Sequence, residues 1–94
     1  MKIRNVNGAD GFECHCGSWL EHWLKHSRQA LPRYCSEVNC FMRPEVAAHV
    51  QKDGEPADPS WYVIPVCRGH YDKKGESFKI HDSIELVPVD GDKS

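Results

Sequence analysis

Two short-spaced pairs of metal-binding side chains stand out in this sequence of 94 residues. Cys35 and Cys40 form one pair, Cys67 and His70 form the other, and each pair fits within one tight turn. Three thiolates and one imidazole complete the tetrahedral shell that Zn²⁺ adopts in structural sites, where four protein ligands exclude water. The spacing therefore predicts one structural zinc ion bound by these four residues. The alternative is that the cysteines are unrelated buried thiols.

The size of the chain gives a reason for such an ion. Ninety-four residues fit a single domain, 1–94, and exclude a multidomain enzyme. A domain this small has a marginal hydrophobic core, and a structural zinc ion contributes an apparent folding free energy on the scale of ~10 kcal/mol. The odd number of cysteines and the lack of a signal-peptide pattern lead us to expect a cytoplasmic protein whose thiols bind metal rather than form disulfides.

A second group of metal-binding side chains precedes these pairs, with the pattern C-x-C-x5-H-x3-H formed by Cys14, Cys16, His22 and His26. Imidazoles at positions i and i+4 share one helix face, so this group allows a second zinc site. Cys14 and Cys16 lie so near the expected helix start that a shell of all four ligands looks strained. Thiols packed beneath the helix are the alternative, and both interpretations stay open.

The elements that position these residues begin with a short strand within residues 1–6. A helix is predicted over residues 19–27, because Ser18 and Glu21 have capping-box spacing and the apolar residues that follow fall on one stripe. That stripe comprises Trp19, Leu20, Trp23 and Leu24.

The second half of the chain favours strands joined by loops. Residues 45–50 suit a short strand or a turn of helix, and residues 61–66 suit a strand whose end at Pro65 lies at an edge or bends away. A short helix follows over 67–74 with Gly75 as its stop, then 78–80 and 84–87 as a pair of strands or a hairpin, and 89–94 as a frayed tail. The fold class is α+β: an N-terminal strand and helix region, 1–34, precedes a zinc-stapled core, 35–80.

Three strings in this core resemble the treble-clef zinc proteins of the HNH endonuclease superfamily. They are Cys35-x4-Cys40, Ala47-Ala-His49-Val50 and Ile64-Pro-Val-Cys67-x2-His70, and the resemblance covers about half of the chain. It implies a zinc knuckle followed by a ββα unit. The opening string Cys14-His-Cys16-Gly-Ser-Trp19 is similar to the beginning of small bacterial proteins with the same zinc half.

The resemblance implies that His49 is the general base that takes a proton from water, beside a divalent ion that polarises the scissile phosphate. The sequence departs from the family at three positions that serve this chemistry. Ala48 replaces a frequent ligand, Tyr62 falls near the family's orienting Asn, and Tyr71 takes the place of the closing metal ligand. A phenol is a poor metal ligand at neutral pH. His81 and Asp82 supply missing ligands only if the last strands fold back to His49.

The distribution of charged and aromatic residues indicates which kind of partner the protein could bind. The net charge is -2, but residues 25–43 and 67–81 are locally basic. The residues expected to face phosphates are Arg33, Arg43, Arg68, Lys73 and Lys74. Trp61, Tyr62 and Tyr71 are candidates for stacking on bases, with burial in the core as the alternative.

Three functions are consistent with these features. The first is an inactive zinc-stabilised module that binds nucleic acid or a nucleic-acid enzyme, the second an HNH-type metal-dependent nuclease that uses His49. The third is a small inhibitor of phage or toxin-system type that binds a protein. The mean hydropathy of -0.63 and the short apolar runs predict no association with a membrane.

Overall fold

Five strands form one antiparallel sheet in the computed structural model, which describes residues 1–6, 19–53, 60–73 and 75–89. The strand order across the sheet is β4-β1-β2-β3-β5. In chain order the elements are β1 (Lys2–Asn5), α1 (Trp19–Ser27), β2 (Val46–Lys52), β3 (Tyr62–Val66), α2 (Arg68–Tyr71), β4 (Ser77–Lys79) and β5 (Val87–Pro88). The expected mixture of helix and strand is therefore present, and β2 is a strand rather than a turn of helix.

The central pair of strands, β2 and β3, divides the interior into two cores. Their register runs from Val46 opposite Val66 to Val50 opposite Tyr62. Successive side chains of a strand point to opposite faces. Residues Ala48, Val50, Ile64 and Val66 therefore join one core with Cys35 and Cys67, whereas Ala47 and Val63 join the other core with Trp23 and Val87.

Helix α1 covers the second of these cores, and its bounds confirm the predicted helix over 19–27. Trp23 has no exposed surface, and its indole Nε1 donates a hydrogen bond of 2.8 Å to the carbonyl oxygen of Glu85. The predicted stripe is correct in its centre, but it omits His22, which is fully buried beside Trp23. Ser18 of the proposed capping box lies outside the described residues.

Pro65 lies at a position of β3 where no neighbouring strand needs its missing N–H as a hydrogen-bond donor. The residue pairs with Ala47 in register, whereas β5 pairs only with Tyr62 and Val63, so the far edge of β3 is open at Pro65. There the Pro65 carbonyl accepts hydrogen bonds from the backbone N–H and the hydroxyl of Ser36, at 3.2 and 2.6 Å. The expectation of an edge position for Pro65 is confirmed, because proline cannot donate to a further strand.

Of the two alternatives for residues 78–80 and 84–87, a pair of separate strands is present and the hairpin is wrong. Strand β4 pairs with β1 and strand β5 pairs with β3, at opposite edges of the sheet, and β5 begins only at Val87. The preceding segment is held by Gln29 instead of by a strand. The Gln29 side chain donates to the carbonyl oxygen of Ser83 at 2.7 Å and accepts from the backbone N–H of Glu85 at 3.1 Å. An amide side chain thus satisfies backbone groups that a neighbouring strand would otherwise bond.

Two further boundaries differ from expectation. Helix α2 ends at Tyr71 with Asp72 as its C-cap, several residues before Gly75, whose φ of 83° serves a later turn instead. Val89 is not frayed, because its backbone N–H donates to the carbonyl oxygen of Trp61 at 3.0 Å and its side chain packs on the α1 core. Residues 90–94 of the expected tail lie outside the described residues.

No helix within the described part of the chain is long and apolar enough to cross a membrane.

We expect Trp23→Ala to lower the free energy of unfolding by about 3–5 kcal/mol, because it removes a fully buried indole and leaves the Glu85 carbonyl without its donor. Leu20→Ala, on the half-buried margin of the same core, is expected to cost clearly less. Urea unfolding of both variants, followed by circular dichroism, measures the difference. Equal losses in the two variants would contradict the packing described for α1.

Candidate metal centre

The four predicted zinc ligands converge at one point of the structure. One ligand atom from each of Cys35, Cys40, Cys67 and His70 lies within 4.8 Å of every other. No other group of three or more such side chains meets this condition within the described residues. The sequence prediction of the ligand set therefore agrees with the geometry.

The distances between the ligand atoms fit a tetrahedral ion. Zn–S bonds of ~2.3 Å and Zn–N bonds of ~2.0 Å place two sulfurs about 3.8 Å apart and a sulfur and a nitrogen about 3.5 Å apart. The Sγ atoms of Cys40 and Cys67 are 3.8 Å apart, and His70 Nδ1 lies 3.6 Å from Cys35 Sγ and 3.2 Å from Cys67 Sγ. His70 thus faces the centre with Nδ1.

The same distances exclude disulfides. A disulfide requires its two sulfurs to be ~2.05 Å apart, whereas the sulfurs of Cys40 and Cys67 are separated by 3.8 Å. All three cysteines that the structure describes are free thiols.

Backbone hydrogen bonds shape the loop that carries the first two ligands, residues 35–40, here called the knuckle. The N–H of Cys35 donates to the carbonyl oxygen of Met42 at 2.7 Å, and the N–H of Cys40 donates to that of Glu37 at 3.1 Å. Ser36 ties the knuckle to Pro65 of β3, as described above. The knuckle is therefore fixed to the strand that leads into the second ligand pair.

The second ligand pair lies where β3 passes into α2. Cys67 is the N-cap of this helix, and its Sγ accepts a hydrogen bond of 3.5 Å from the backbone N–H of His70. Asn5 of β1 fixes the other end of the helix, because its Nδ2 donates to the carbonyl oxygens of His70 and Tyr71, at 2.8 and 3.2 Å. A buried amide in the first strand thus positions the imidazole ligand.

A carboxylate stands behind the imidazole ligand. Glu37 Oε2 lies 4.0 Å from His70 Nε2, the nitrogen that points away from the thiols, and both side chains are largely buried. The N–H of Asn39 donates to the same oxygen at 2.9 Å and holds it in place. Metal-ligating histidines commonly direct their second ring N–H to a carboxylate, which orients the ring and increases its basicity. Glu37 lies on the side of the ring that this role requires, at a distance longer than a hydrogen bond.

The electrostatics of the site favour a cation. Burial raises the pKa of the Cys35 thiol from 9.0 to about 12, because the thiolate would lose its hydration. Neighbouring Cys67 and Cys40 also act in this direction, since each brings further negative charge. A divalent ion opposes that charge directly and binds cysteine as the thiolate. The four side chains therefore fit a zinc ion chemically as well as geometrically.

The residues of the HNH comparison do not meet at one place in the fold. His49 is 5% exposed and faces α1, with its ring centroid 4.7 Å from that of Trp19. Ala48 and Tyr71 belong to the core on the opposite face of the sheet. Asp82 forms an ion pair of 2.7 Å with the amino group of Met1, and the N–H of His81 donates to the carbonyl oxygen of Ser36.

The predicted phosphate-facing side chains are exposed wherever the structure describes them: Arg33, Arg43, Arg68 and Lys73. Lys74 lies outside the described residues, as do Cys14 and Cys16. For the aromatic candidates Tyr62 and Tyr71 the core alternative holds, because both pack against the core that contains Cys35 and Cys67. Among the described residues the exposed rings are those of Tyr34 and Phe41, which flank the knuckle cysteines.

Comparison of the chain with protein-family models, curated proteins and solved structures finds no match. The HNH resemblance therefore stays a prediction from three sequence strings.

We expect purified protein to retain one tightly bound zinc ion at this centre, and Cys35→Ser or Cys67→Ser to lose it together with most of the folded structure. A structural zinc ion contributes on the scale of ~10 kcal/mol, which is comparable to the whole stability of a small domain. Elemental analysis and circular dichroism with and without a strong chelator measure both effects. A metal-free protein that folds fully, or variants that keep both zinc and fold, would contradict the assignment.

Proposed function

We propose that this protein is a zinc-stabilised treble-clef module that binds single-stranded nucleic acid. The chain forms the knuckle, the β2–β3 hairpin and α2 in the order of a treble clef. The ligands lie in the knuckle and at the start of the helix. The observation that carries the nucleic-acid function is a surface beside the knuckle, where exposed aromatic rings lie among arginines.

Exposed apolar side chains are concentrated at this surface, here called the knuckle patch. Among the described residues five large apolar side chains are exposed, and three of them, Tyr34, Phe41 and Met42, form the patch. Phe41 is 76% exposed and Met42 is 65% exposed, which are the two highest exposed fractions among these five side chains. Contiguous exposed apolar residues typically mark an interaction site.

The two rings of the patch are held side by side by the metal loop. Tyr34 and Phe41 immediately flank Cys35 and Cys40, and the hydrogen bond from Cys35 to Met42 closes the loop between them. Their ring centroids are 5.6 Å apart at an interplanar angle of 84°. A paired, solvent-exposed arrangement of this kind offers faces and edges on which unpaired bases stack.

Charge around the patch suits a phosphate backbone. Arg33 precedes Tyr34, Arg43 follows Met42, and both side chains are exposed. Glu37 is the one acidic residue among 25–43, and its side chain is only 14% exposed because it faces His70. Arg68 begins α2 directly after the ligand Cys67, and Lys73 follows that helix.

A single strand fits this surface better than a duplex. Reading a duplex through its major groove requires an exposed helix or a two-stranded ribbon. Helix α2 has four residues, and α1 packs against β2, β3 and β5. Stacking platforms with basic residues along the backbone path are typical of proteins that bind single strands with little sequence preference.

We expect weak, salt-dependent binding of a single-stranded oligonucleotide, with Tyr34→Ala and Phe41→Ala each reducing the affinity by about tenfold. That factor is about 1.4 kcal/mol, within the range for one stacked base. Arg43→Ala with Arg68→Ala should lower the salt slope by about 0.7 for each phosphate that is no longer neutralised. Fluorescence anisotropy between ~50 and ~200 mM salt measures both quantities.

Met42→Ala and Lys79→Ala are the matched controls, since the first removes an exposed apolar side chain without a ring and the second an exposed lysine on β4. Lys79→Ala should bind as the wild type does, and Met42→Ala should lose clearly less affinity than either ring variant, because it removes no stacking face. A loss of affinity in Met42→Ala equal to that of the ring variants would favour a protein partner that covers the whole patch. The absence of binding by the wild type at low salt would contradict the proposed nucleic-acid function.

The placement of His49 supports a binding module rather than a nuclease. A general base must reach the water that it activates, and the metal must reach the phosphate. His49 is buried against α1, while the positions that correspond to the family's ligands, Ala48 and Tyr71, lie across the sheet.

We expect no cleavage of plasmid or single-stranded DNA with magnesium, manganese, nickel or zinc. Loss of one oriented electrostatic group costs about a hundred- to a thousand-fold in rate, so a site without its metal should be silent. The assay compares the wild type with His49→Gln, which keeps much of the buried volume. Cleavage by the wild type that disappears in this variant would restore the nuclease hypothesis.

A further inference from the structure

Three imidazoles gather on the face of the sheet opposite the cysteine centre. His22 and His26 lie one turn apart on α1, and His49 of β2 contacts the same Trp19 ring that His22 contacts. The ring of Trp19 contacts His22 and His49, with centroid separations of 5.1 and 4.7 Å. His22 and His49 are 0% and 5% exposed, whereas His26 is half-buried and keeps part of its surface open to solvent.

The hydrogen bonding of the His22 ring is typical of a metal-bound histidine. Its Nε2 lies 3.0 Å from the carbonyl oxygen of Pro88. A carbonyl oxygen only accepts, so Nε2 carries the proton, and Nδ1 of the neutral ring keeps its lone pair. Nδ1 is buried and has no hydrogen-bond partner among the described residues. A second ring N–H directed to a backbone carbonyl is the usual outer support of a metal-bound imidazole.

His26 is placed to share an ion with His22. Their ring centroids are 4.5 Å apart, with the planes tilted by 49°. Two imidazoles bound to one tetrahedral ion at ~2.1 Å have centroids about 5 Å apart, so the pair is close to the required separation without rebuilding the helix. Hydrophobic packing alone gives no reason to bury an imidazole nitrogen without a donor, because such an atom costs free energy.

We infer that His22, through Nδ1, and His26 bind a second divalent transition-metal ion, separated from the cysteine centre by the sheet. Imidazole nitrogen suits Zn²⁺, Co²⁺, Ni²⁺ and Cu²⁺ and disfavours Mg²⁺ and Ca²⁺. Two imidazoles fill half of a tetrahedral shell, which leaves the other positions to water or to further donors. This ion is therefore held less tightly than the ion of the cysteine centre, and exchanges. The inference does not depend on nucleic-acid binding.

Metal loading tests the site on the folded protein. In equilibrium dialysis against excess Zn²⁺, the wild type should bind two ions per chain, counted against the free Zn²⁺ outside the membrane, and His22→Gln and His26→Gln should bind one. His81→Gln, which alters an exposed histidine away from α1, is the matched control and should keep two. One ion in the loaded wild type, or two in folded His22→Gln, would overturn the inference.

A measurement on the wild type keeps the test decisive if the variants fail to fold. Long-range ¹H–¹⁵N spectra of the histidine rings, recorded as Zn²⁺ is added to protein whose cysteine centre is already filled, report each ring nitrogen separately. The Nδ1 signal of His22 should move to a metal-bound position while Nε2 keeps its proton. An Nδ1 signal that stays unchanged at saturating Zn²⁺ would overturn the assignment. Occupancy of the cysteine centre serves as the internal reference in both experiments.

Discussion

The register of β2 against β3 is the constraint on which the rest of the molecule depends. It sets the N–H of Glu45 opposite the carbonyl of Val66 at 2.9 Å, so that the chain leaving the knuckle runs beside the chain entering α2. Cys40 and Cys67 are neighbours for this reason, although they are 27 positions apart. A shift by one residue would turn every side chain of the hairpin to the other face. It would move His49 into the cysteine core and Ala48 beneath Trp19, and both clusters would be lost.

Local patterns predicted what depends on local patterns. The stripe of α1, the strand at 61–66 and the paired ligands of the metal centre each follow from spacing within a few residues. Asn5 did not emerge from the sequence, because its partners lie 65 and 66 positions away and no short-range signal points to them. The burial of His22 was missed for the same reason, since its partner Pro88 is also 66 positions distant. The strand predicted at 84–87 begins only at Val87, and apolar alternation cannot reveal that the Gln29 side chain bonds the backbone before it.

The exposure of the aromatic side chains could not be predicted from the sequence for a different reason. Tyr62 and Tyr71 pack against the core, whereas Tyr34 and Phe41, which stand beside cysteines, are exposed, and the sequence pattern did not single them out. The knuckle is so short that the sulfurs point inward and the adjoining side chains are left outside. Their exposure follows from the size of the loop around an ion, which composition and periodicity do not express. The same loop geometry thus determines both the inner ligand shell and the outer surface.

Pro65 also affects how the open edge of β3 meets other chains. An open strand edge is a template on which other copies add, and the segment from Tyr62 to Val66 is apolar enough to aggregate in this way. At the point where β5 no longer covers β3, the exposed edge presents a proline, which offers no donor to an incoming strand. The bonds from Ser36 that occupy this place in the finished fold require the knuckle to be closed. Before that closure, a strand that arrives at this part of β3 finds no N–H donor at Pro65.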